Sequence, residues 1–462
     1  MKYGLYLFFL VLVYSCNSSN LSLVQRSIGV GGGSSADAPT VSSISPTSYG
    51  VKGGVLATIT GTNFLAGATV TIGGTECTSP TVVDSTSITC TIPYHFASVV
   101  DVVVLNTSGI TGTLFNGFSY NSYLYASNQS GASALSRMRI DSLTGNITQL
   151  GTTAVPNGTY GVDVDSTNTW VYSAGVSADQ IAGFTINHAT GDLTAVPGSP
   201  YAAGNGVDAV AVSKDSKCLI ASNFLAVAGV AVTSYIINQS TGALTKVSDY
   251  AGGTQAGFIA IDPFNRFVFV TNYGSDNISA YTLNTTNCTL GIIGTYASGD
   301  GPDAISVHPT GKFLYAGNAS NAFVGGKGAV TAMSIDQSTG ALTLIDTYLT
   351  ADARNGSGVE IDKTGSQVYV TARGNDAAGM GRAYGYNINT TNGVLTEIGN
   401  WVTGDGPNDV RILGDGKFVF TANTAANSVS VFVRDLATGL LTPASPASYV
   451  IGNGPGIIGI TF

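Results

Sequence analysis

The chain has 462 residues, a formal net charge of −9, and only 10% charged residues. No basic stripe is available for phosphate backbones, which argues against a nucleic-acid-binding protein. Hydrophobic residues make up 44% of the chain and glycine supplies 60 residues. This composition favours a folded all-β protein with many tight turns over a disordered one.

The first 38 residues are interpreted as an export signal followed by a tether. The apolar run at residues 5–13 is too short for a permanent transmembrane helix. Small Ser15 precedes Cys16, so residues 1–15 resemble a bacterial lipoprotein signal peptide that would leave Cys16 lipidated; an ordinary secretory signal is the alternative. Residues 16–38, rich in Ser, Gly and Asn, are then a flexible tether. We expect an exported protein anchored at the outer membrane or cell surface.

Residues 39–120 show short alternating strands separated by Gly and Pro turns, which is typical of a β-sandwich of this size. The segment resembles the immunoglobulin-like IPT/TIG family through an ordered set of motifs: Ile59-Thr60-Gly61-Thr62-Asn63-Phe64, Ile88-Thr89-Cys90-Thr91-Ile92-Pro93 and Phe115-Asn116-Gly117-Phe118-Ser119-Tyr120. The resemblance implies a disulfide between Cys77 and Cys90, which suits an oxidising exported location. Cys218 and Cys288 fall in different repeats further along the chain, and no bond between them is expected.

From residue 121 onward a turn signature, Thr-Gly-x-Leu-Thr, recurs seven times. Its spacing of roughly 45 to 53 residues is the period of a four-stranded propeller blade. The seven turn pairs are Thr144-Gly145, Thr190-Gly191, Thr241-Gly242, Thr286-Asn287, Thr339-Gly340, Asn392-Gly393 and Thr438-Gly439.

Each repeat carries its elements in the same order. A short apolar innermost strand is followed by an aromatic-rich strand that often ends near Asn, and the Thr-Gly pair then turns the third strand into the fourth because Gly accepts positive φ. The first repeat lacks an innermost strand, and the chain ends on an unpartnered one, residues 456–462. We predict that the two pair, so that residues 121–462 form a seven-bladed β-propeller closed by the C-terminal strand, without free sheet edges.

The propeller resembles the lactonase family, which includes 6-phosphogluconolactonase-like enzymes, and the related YVTN-type surface repeats, most strongly over residues 299–315. In lactonase-type members the Gly-x-Gly-Pro loop is followed by Arg-His, a pair implicated in substrate binding and acid/base work. Asp303 and Ala304 stand at those positions here. The family's Asn-Glu dipeptide ends instead on Ala319, and its Gly-Pro-Arg loop has Asn408 after the proline. The resemblance therefore implies no catalytic residue at these positions.

The histidines offer no replacement chemistry. The chain has three, His95 in the predicted sandwich, His188 before a turn, and His308, which matches a structural His-Pro pair of the resembled family. No Gly-x-Ser-x-Gly elbow with triad partners is present, so acid/base catalysis would have to use carboxylates.

Alignment of the repeats places oxygen-bearing side chains at one level near the mouth of the central channel. These are Asp208, Asp303 and Asn408 on innermost strands, with Asp300 and Asp405 in the loops that precede two of them. Converging oxygens of this kind suit Ca²⁺, a hard cation. The alternative is that these residues cap turns through Asx-type hydrogen bonds. No other cofactor is indicated.

Two classes of function remain open. The missing lactonase groups favour a monomeric, lipid-anchored, non-catalytic binding module whose propeller loops recognise an unknown protein or polysaccharide, with membrane contact only through the lipid. The alternative is an exported lactonase-like hydrolase with a rearranged site. In that case Arg354, Arg373 and Arg382 would meet an anionic substrate, unless they are solvated or pair with Asp352 and Asp376.

Overall fold

The computed structural model describes residues 38–461 except 130–132, 227–228, 320–328, 350–355, 374–379 and 453. The predicted signal peptide, lipidation of Cys16 and the tether up to residue 37 lie outside the described residues, as do Arg354, Asp352 and Asp376. In the part of the chain that is described, no helix is long and apolar enough to cross a membrane.

The N-terminal strands form the predicted immunoglobulin-like sandwich. One sheet has the order β1-β3-β7-β6, and the other joins β5, β4, β8 and the first half of β9, with β2 parallel to β9. Side chains alternate along β3, where Leu56 is exposed and Ala57 and Ile59 are buried, as expected for strands with one face on the core. The strands are β1 Thr40–Ser45, β2 Ser48–Gly50, β3 Leu56–Thr62, β4 Thr69–Ile72, β5 Thr75–Glu76, β6 Thr78–Asp84, β7 Ser87–Thr91, β8 Ser98–Leu105 and β9 Thr111–Asn128.

The sandwich contains the expected cysteine pair. Cys77 lies between β5 and β6 and Cys90 lies in β7, both are buried, and a disulfide joins them across a Cα–Cα distance of 5.8 Å.

Seven antiparallel blades follow, and the innermost strand of each lines the channel. Blade 2 is irregular because two short outer strands, β15 and β16, both pair with β14. Blade 1 contains β37 Pro455–Ile460, the second half of β9, β10 Ala134–Ile140 and β11 Ile147–Ala154; blade 2, β12 Thr159–Val164, β13 Trp170–Gly175, β14 Gln180–Ile186, β15 Leu193–Ala195 and β16 Tyr201–Ala202; blade 3, β17 Val207–Val212, β18 Cys218–Asn223, β19 Val232–Ile237 and β20 Leu244–Tyr250; blade 4, β21 Ala256–Ile261, β22 Phe267–Asn272, β23 Asn277–Asn284 and β24 Thr289–Ala297; blade 5, β25 Pro302–Val307, β26 Phe313–Asn318, β27 Ala329–Ile335 and β28 Leu342–Leu349; blade 6, β29 Gly356–Ile361, β30 Gln367–Ala372, β31 Arg382–Ile388 and β32 Leu395–Val402; blade 7, β33 Pro407–Ile412, β34 Phe418–Asn423, β35 Ser428–Arg434 and β36 Leu441–Val450.

The C-terminal strand closes the ring as predicted. β37 pairs antiparallel with β9, with Ile458 opposite Ala126 and Ile460 opposite Leu124. The partner strand β9 runs without interruption from the sandwich into blade 1, so the domain boundary predicted at residue 120 falls inside one strand.

The sandwich packs directly on the propeller. Gly50 donates its backbone N–H to the carbonyl of His188 at 2.8 Å, and a Cβ at Gly50 would lie 2.4 Å from the His188 ring, so this approach requires glycine. A second contact joins the Lys363 ammonium of blade 6 to the Phe96 ring of the sandwich, 3.9 Å from the ring centre, which is a cation–π contact.

Neighbouring blades share one repeated contact. The first residue of the second strand in one blade packs against the glycine of the third-to-fourth-strand turn in the next, as Phe418 does against Gly145, where a Cβ would come within 2.5 Å of the ring. The other pairs of this kind are Tyr123 with Gly191, Trp170 with Gly242, Phe267 with Gly340, Phe313 with Gly393 and Gln367 with Gly439.

The junction between blades 3 and 4 corrects the expectation that Cys218 and Cys288 are apart. A disulfide joins them, with a Cα–Cα distance of 5.5 Å. Cys218 begins the second strand of blade 3, and Cys288 takes the turn position with φ 56°. Cys288, and not Asn287, is therefore the glycine equivalent of this repeat, so the disulfide replaces the side-chain-to-glycine contact of the other junctions.

Removal of residues 456–462 tests the closure. We expect a sharply lower Tm, because β9 loses its inner partner and blade 1 keeps only three strands. Thermal unfolding followed by circular dichroism measures the change. An unfolding curve identical to that of the intact chain would contradict the role assigned to β37.

The blade 3–blade 4 disulfide should stabilise the ring. The double variant Cys218→Ala/Cys288→Ala is expected to lose about 2–4 kcal/mol of unfolding free energy, because the bond closes a long loop in the unfolded chain. Cys218→Phe/Cys288→Gly restores the contact used elsewhere in the ring and is expected to recover part of that loss. Denaturant unfolding compares the two variants, and equal stability would show that the junction contact contributes nothing.

Candidate functional site

The innermost strands share a backbone irregularity near the channel mouth. Each pairs with the second strand of its blade through a register shift close to its start, between Val207 and Val210 in β17 and between Pro302 and Ala304 in β25. Bulges re-aim side chains and are common near functional sites. The predicted mouth residues Asp208 and Asp303 lie within these shifts.

One predicted mouth residue, Asn408 of blade 7, contacts blade 2. Asn408 donates its side-chain amide to the Tyr160 hydroxyl at 3.1 Å. Burial raises the pKa of Tyr160, and the charges of Asp303 and Asp208 raise it further. Burial and then the Asp303 charge raise the pKa of Asp208 to about 8. Tyr160, Asp208, Asp303 and Asn408 are each the second residue of an innermost strand, and we call them the mouth group.

Other predicted members lie elsewhere. Asp300 and Asp405 are half-buried in the loops before β25 and β33, and no described contact joins either carboxylate to the mouth group. Arg373 does reach the group, with a guanidinium nitrogen 3.7 Å from a carboxylate oxygen of Asp303. Arg382 instead donates to Asn400 at 2.9 Å, on the outer strands of blade 6.

A second charged level lies three residues deeper along the same strands. A cavity of about 390 Å³ is lined there by Asp163, Glu360 and Arg411, together with Lys214 and Lys363 from the turns beyond the strands. We call Asp163, Glu360 and Arg411 the inner group. A cavity of this size accepts a small-molecule ligand.

Arg411 organises the inner group. Its guanidinium lies 3.3 Å from the carboxylates of both Glu360 and Asp409, and its Nε donates to the carbonyl of Ile458 at 2.9 Å. It therefore connects the innermost strands of blades 6, 7 and 1. Asp409 is itself held, because it accepts the backbone N–H of Ile458 at 2.9 Å.

Glu360 is the carboxylate of the inner group that is poised for proton transfer. Burial raises the pKa of Glu360 to about 7. The charges of Arg411 and Lys214 lower this pKa, and the charges of Asp409 and Asp163 raise it. A carboxyl with this pKa exists in both protonation states near neutral pH, which suits a general base or acid.

Sequence reasoning missed the inner group although its signal was present. Each innermost strand has one residue at this level, paired with the second strand of its blade. These seven residues are Asp163, Ala211, Ala260, Ser306, Glu360, Arg411 and Gly459. Four of the seven are small or uncharged, which suits a crowded channel. Three charged side chains at one level of an otherwise small-residue ring are the pattern that marks the site.

The histidines lie outside both groups. His308 is buried, with Nδ1 2.7 Å from the Thr310 hydroxyl and Nε2 2.9 Å from the carbonyl of Gly365, a structural arrangement. His188 lies against the sandwich, where burial lowers its pKa to about 4. His95 contacts the carbonyl of Phe96 within the sandwich at 2.7 Å.

Two family descriptions match the chain in the regions now described. One, "Lactonase, 7-bladed beta-propeller", matches residues 194–305 and 253–454, which together cover more than half of the 462 residues. The chain belongs to the lactonase family of seven-bladed β-propellers. The second, "IPT/TIG domain", matches residues 39–127 and covers the sandwich.

Solved structures show the same fold for the lactonase-family part. A proposed 6-phosphogluconolactonase of Bacteroides fragilis has 20% identity and a TM-score of 0.63, over 74% of this chain and 98% of that one. The periplasmic gluconolactonase of Pseudomonas aeruginosa has 15% identity and a TM-score of 0.63, over 74% and 99%. At these identities the likeness establishes the shared fold alone. No curated protein matches the chain.

The mouth lacks the side chains that the lactonase resemblance implied. Asp303, Ala304 and Ala319 stand where the resemblance implied functional side chains, and Ala304 and Ala319 are buried. The mouth still has a positively charged side chain, because Arg373 of the loop after β30 lies close to Asp303. The lactonase relationship supports the hydrolase alternative better than a non-catalytic surface module.

Proposed function

We propose that this lactonase-family protein is a hydrolase that opens a lactone or another small cyclic ester in its central channel. The observation that carries the proposal is the contact between Glu360, with its pKa near 7, and Arg411 at the wall of the 390 Å³ cavity. The family relationship supports the same chemistry. Export and lipid anchoring through Cys16 remain part of the proposal, on the sequence pattern described above.

Glu360 and Arg411 supply complementary halves of the reaction. The Glu360 carboxylate accepts a proton from water as the water oxygen bonds to the lactone carbonyl carbon. The guanidinium of Arg411 balances the negative charge that develops on the carbonyl oxygen, which is the principal demand of acyl transfer. When the ring C–O bond breaks, Glu360 returns the proton to the departing alkoxide. The product is a hydroxy acid, which ionises in water to its carboxylate and a proton.

The neighbouring carboxylates are positioned for a different task. Asp163 accepts the backbone N–H of Val212 from the next blade at 2.8 Å, and burial raises the pKa of Asp163. Asp409 holds Ile458 in the same manner. These contacts tie adjacent innermost strands together, so Glu360 is the side chain best placed to exchange a proton with a ligand.

Glu360→Gln tests the assignment of the base. We expect kcat for glucono-lactone hydrolysis to fall by about 10²- to 10⁴-fold, the usual contribution of general acid–base catalysis. Ser306→Ala, at the same register in blade 5, is the matched control and should keep its rate. Asp303→Asn tests the mouth group in parallel. Full activity in Glu360→Gln together with loss in Asp303→Asn would transfer the chemistry to the mouth.

The pH dependence follows from the same group. The base acts when Glu360 is ionised, so below about pH 7 the protonated form should lower kcat/KM tenfold per pH unit, and above it the rate should level off. Initial rates between pH 5 and pH 8, corrected for spontaneous hydrolysis, measure the profile. A rate that is flat across this range would exclude Glu360 as the base.

A further inference from the structure

We propose that small ligands reach the inner group from the face of the propeller on which the sandwich packs, and that Tyr160 seals the opposite end, the mouth. The identity of the ligand, a small cyclic ester that enters and a hydroxy-acid anion that leaves, rests on the proposed function, whereas the path does not. We call the opening on the sandwich face the turn-side entrance, because residues of the turns after four innermost strands line it: Lys214, Pro263, Pro309 and Lys363.

Tyr160 lies across the mouth. It belongs to blade 2, and its hydroxyl accepts the side-chain amide of Asn408 in blade 7 at 3.1 Å. Blade 1, which lies between these two blades, has Gly456 at the same strand position, so no side chain separates them. In the other direction the Tyr160 ring meets the Phe258 ring of blade 4 edge-on, with 6.2 Å between the ring centres, a favourable aromatic geometry. Tyr160 therefore contacts blades on both sides of its own and closes the centre of the channel.

The 390 Å³ cavity ends below this seal. Its lining includes Phe258, which Tyr160 contacts, and the deeper residues of the innermost strands. Within the described ranges, no member of the mouth group lines the cavity. At the other end the lining continues beyond the strands to Lys214 and Lys363, which are exposed. The cavity therefore reaches solvent at the turn side, whereas two aromatic rings separate it from the mouth.

The sandwich covers part of the turn-side entrance. The Lys52 ammonium donates to the hydroxyl of Thr169 in the turn after β12 of blade 2. The Phe96 ring lies 3.9 Å from the Lys363 ammonium, which is in the corresponding turn of blade 6. Blades 1 and 7 lie between blades 2 and 6, so the sandwich spans that side of the ring. Phe96 and Lys363 thus form one edge of the entrance.

The opposite side of the entrance belongs to the propeller alone. The described hydrogen bonds of Lys214 in blade 3 join it to Ser166 and Asn265 of neighbouring propeller turns, and none of them reaches the sandwich. The ammonium of Lys363 also donates to the carbonyl of Gly414 in blade 7, which holds this charge beside the opening. A positively charged opening attracts anions. The entrance therefore suits small molecules that carry a carboxylate, including the anion that the proposed hydrolysis releases.

Cysteine labelling tests the path without relying on catalysis. Ser306→Cys places a thiol on the cavity wall at the level of the inner group. The full chain is treated with a small maleimide, and peptide mapping by mass spectrometry follows the rate of modification at position 306. Lys214→Cys, combined with Ser306→Cys, adds a thiol at the turn-side entrance, which is first capped with a maleimide carried on a dextran chain too large for the cavity. Asp300→Cys, capped in the same way in the loop before β25, is the matched control at the mouth.

The cap at Lys214→Cys should slow modification at position 306 by about tenfold or more, because it obstructs the opening, whereas the cap at Asp300→Cys should leave the rate unchanged. Tyr160→Ala should raise the rate and make it sensitive to the cap at Asp300→Cys, because the seal is removed.

The proposed path is overturned if the mouth cap slows modification as much as the turn-side cap, if neither cap slows it, or if position 306 reacts only after denaturation. An unchanged rate in Tyr160→Ala would overturn the assignment of the seal. The expected labelling pattern in a protein that hydrolyses no lactone would leave the path intact and remove the proposed function, so the two failures are distinguishable.

Discussion

The ring depends on one contact that is repeated between neighbouring blades. At most junctions a large side chain at the start of the second strand, such as Phe418, covers the turn glycine of the next blade, such as Gly145. Gly145 is required for two reasons. Its φ of 73° favours glycine, and a Cβ at this position would contact the Phe418 ring. Tyrosine hydroxyls extend the contact, as when Tyr172 donates to the carbonyl of Gly242 at 2.7 Å. Each blade packs only against its two neighbours, so the ring closes only when β37 completes blade 1.

The need to join neighbouring blades also explains why charged side chains line the channel. Innermost strands of adjacent blades do not pair in one ladder, so side chains must join them. Asp163 and Asp409 do so by accepting backbone N–H groups from the following blade. Arg411 joins three strands and keeps Glu360 at 3.3 Å. The inner group therefore arises from the structural requirement of the ring, and only Glu360 and Arg411 have geometry that also serves a ligand.

The architecture was readable from sequence because it repeats. Seven turn signatures predicted seven blades, and the unpartnered residues 456–462 predicted the closure that β37 makes with β9. The error at Cys288 has a specific cause: the Thr-Gly alignment gave the turn position to Asn287, whereas the structure gives the positive φ to Cys288. With that register, Cys218 and Cys288 occupy the paired positions of one junction, which the ring order of the blades makes adjacent.

The functional site was harder to predict than the fold, because aligned repeats show which residues share a strand position but not which side chains contact one another. Asp208, Asp303 and Asn408 each lie one residue after the start of an innermost strand, whereas Asp300 and Asp405 lie in the loops before two of these strands, and no described contact joins these two carboxylates to the mouth group. The inner group was missed because the repeats were compared only at the mouth level, although three residues further along the strands Asp163, Glu360 and Arg411 stand out against the small residues Ala211, Ala260 and Gly459.

The two charged levels are separated by three residues of strand, about 10 Å at the usual rise. The lactonase family's implied acid/base positions at the mouth hold Asp303 and Ala304 here, while Glu360 carries a pKa near 7 deeper in the channel. The proposed proton transfer therefore uses the deeper of the two levels, where Glu360 and Arg411 meet.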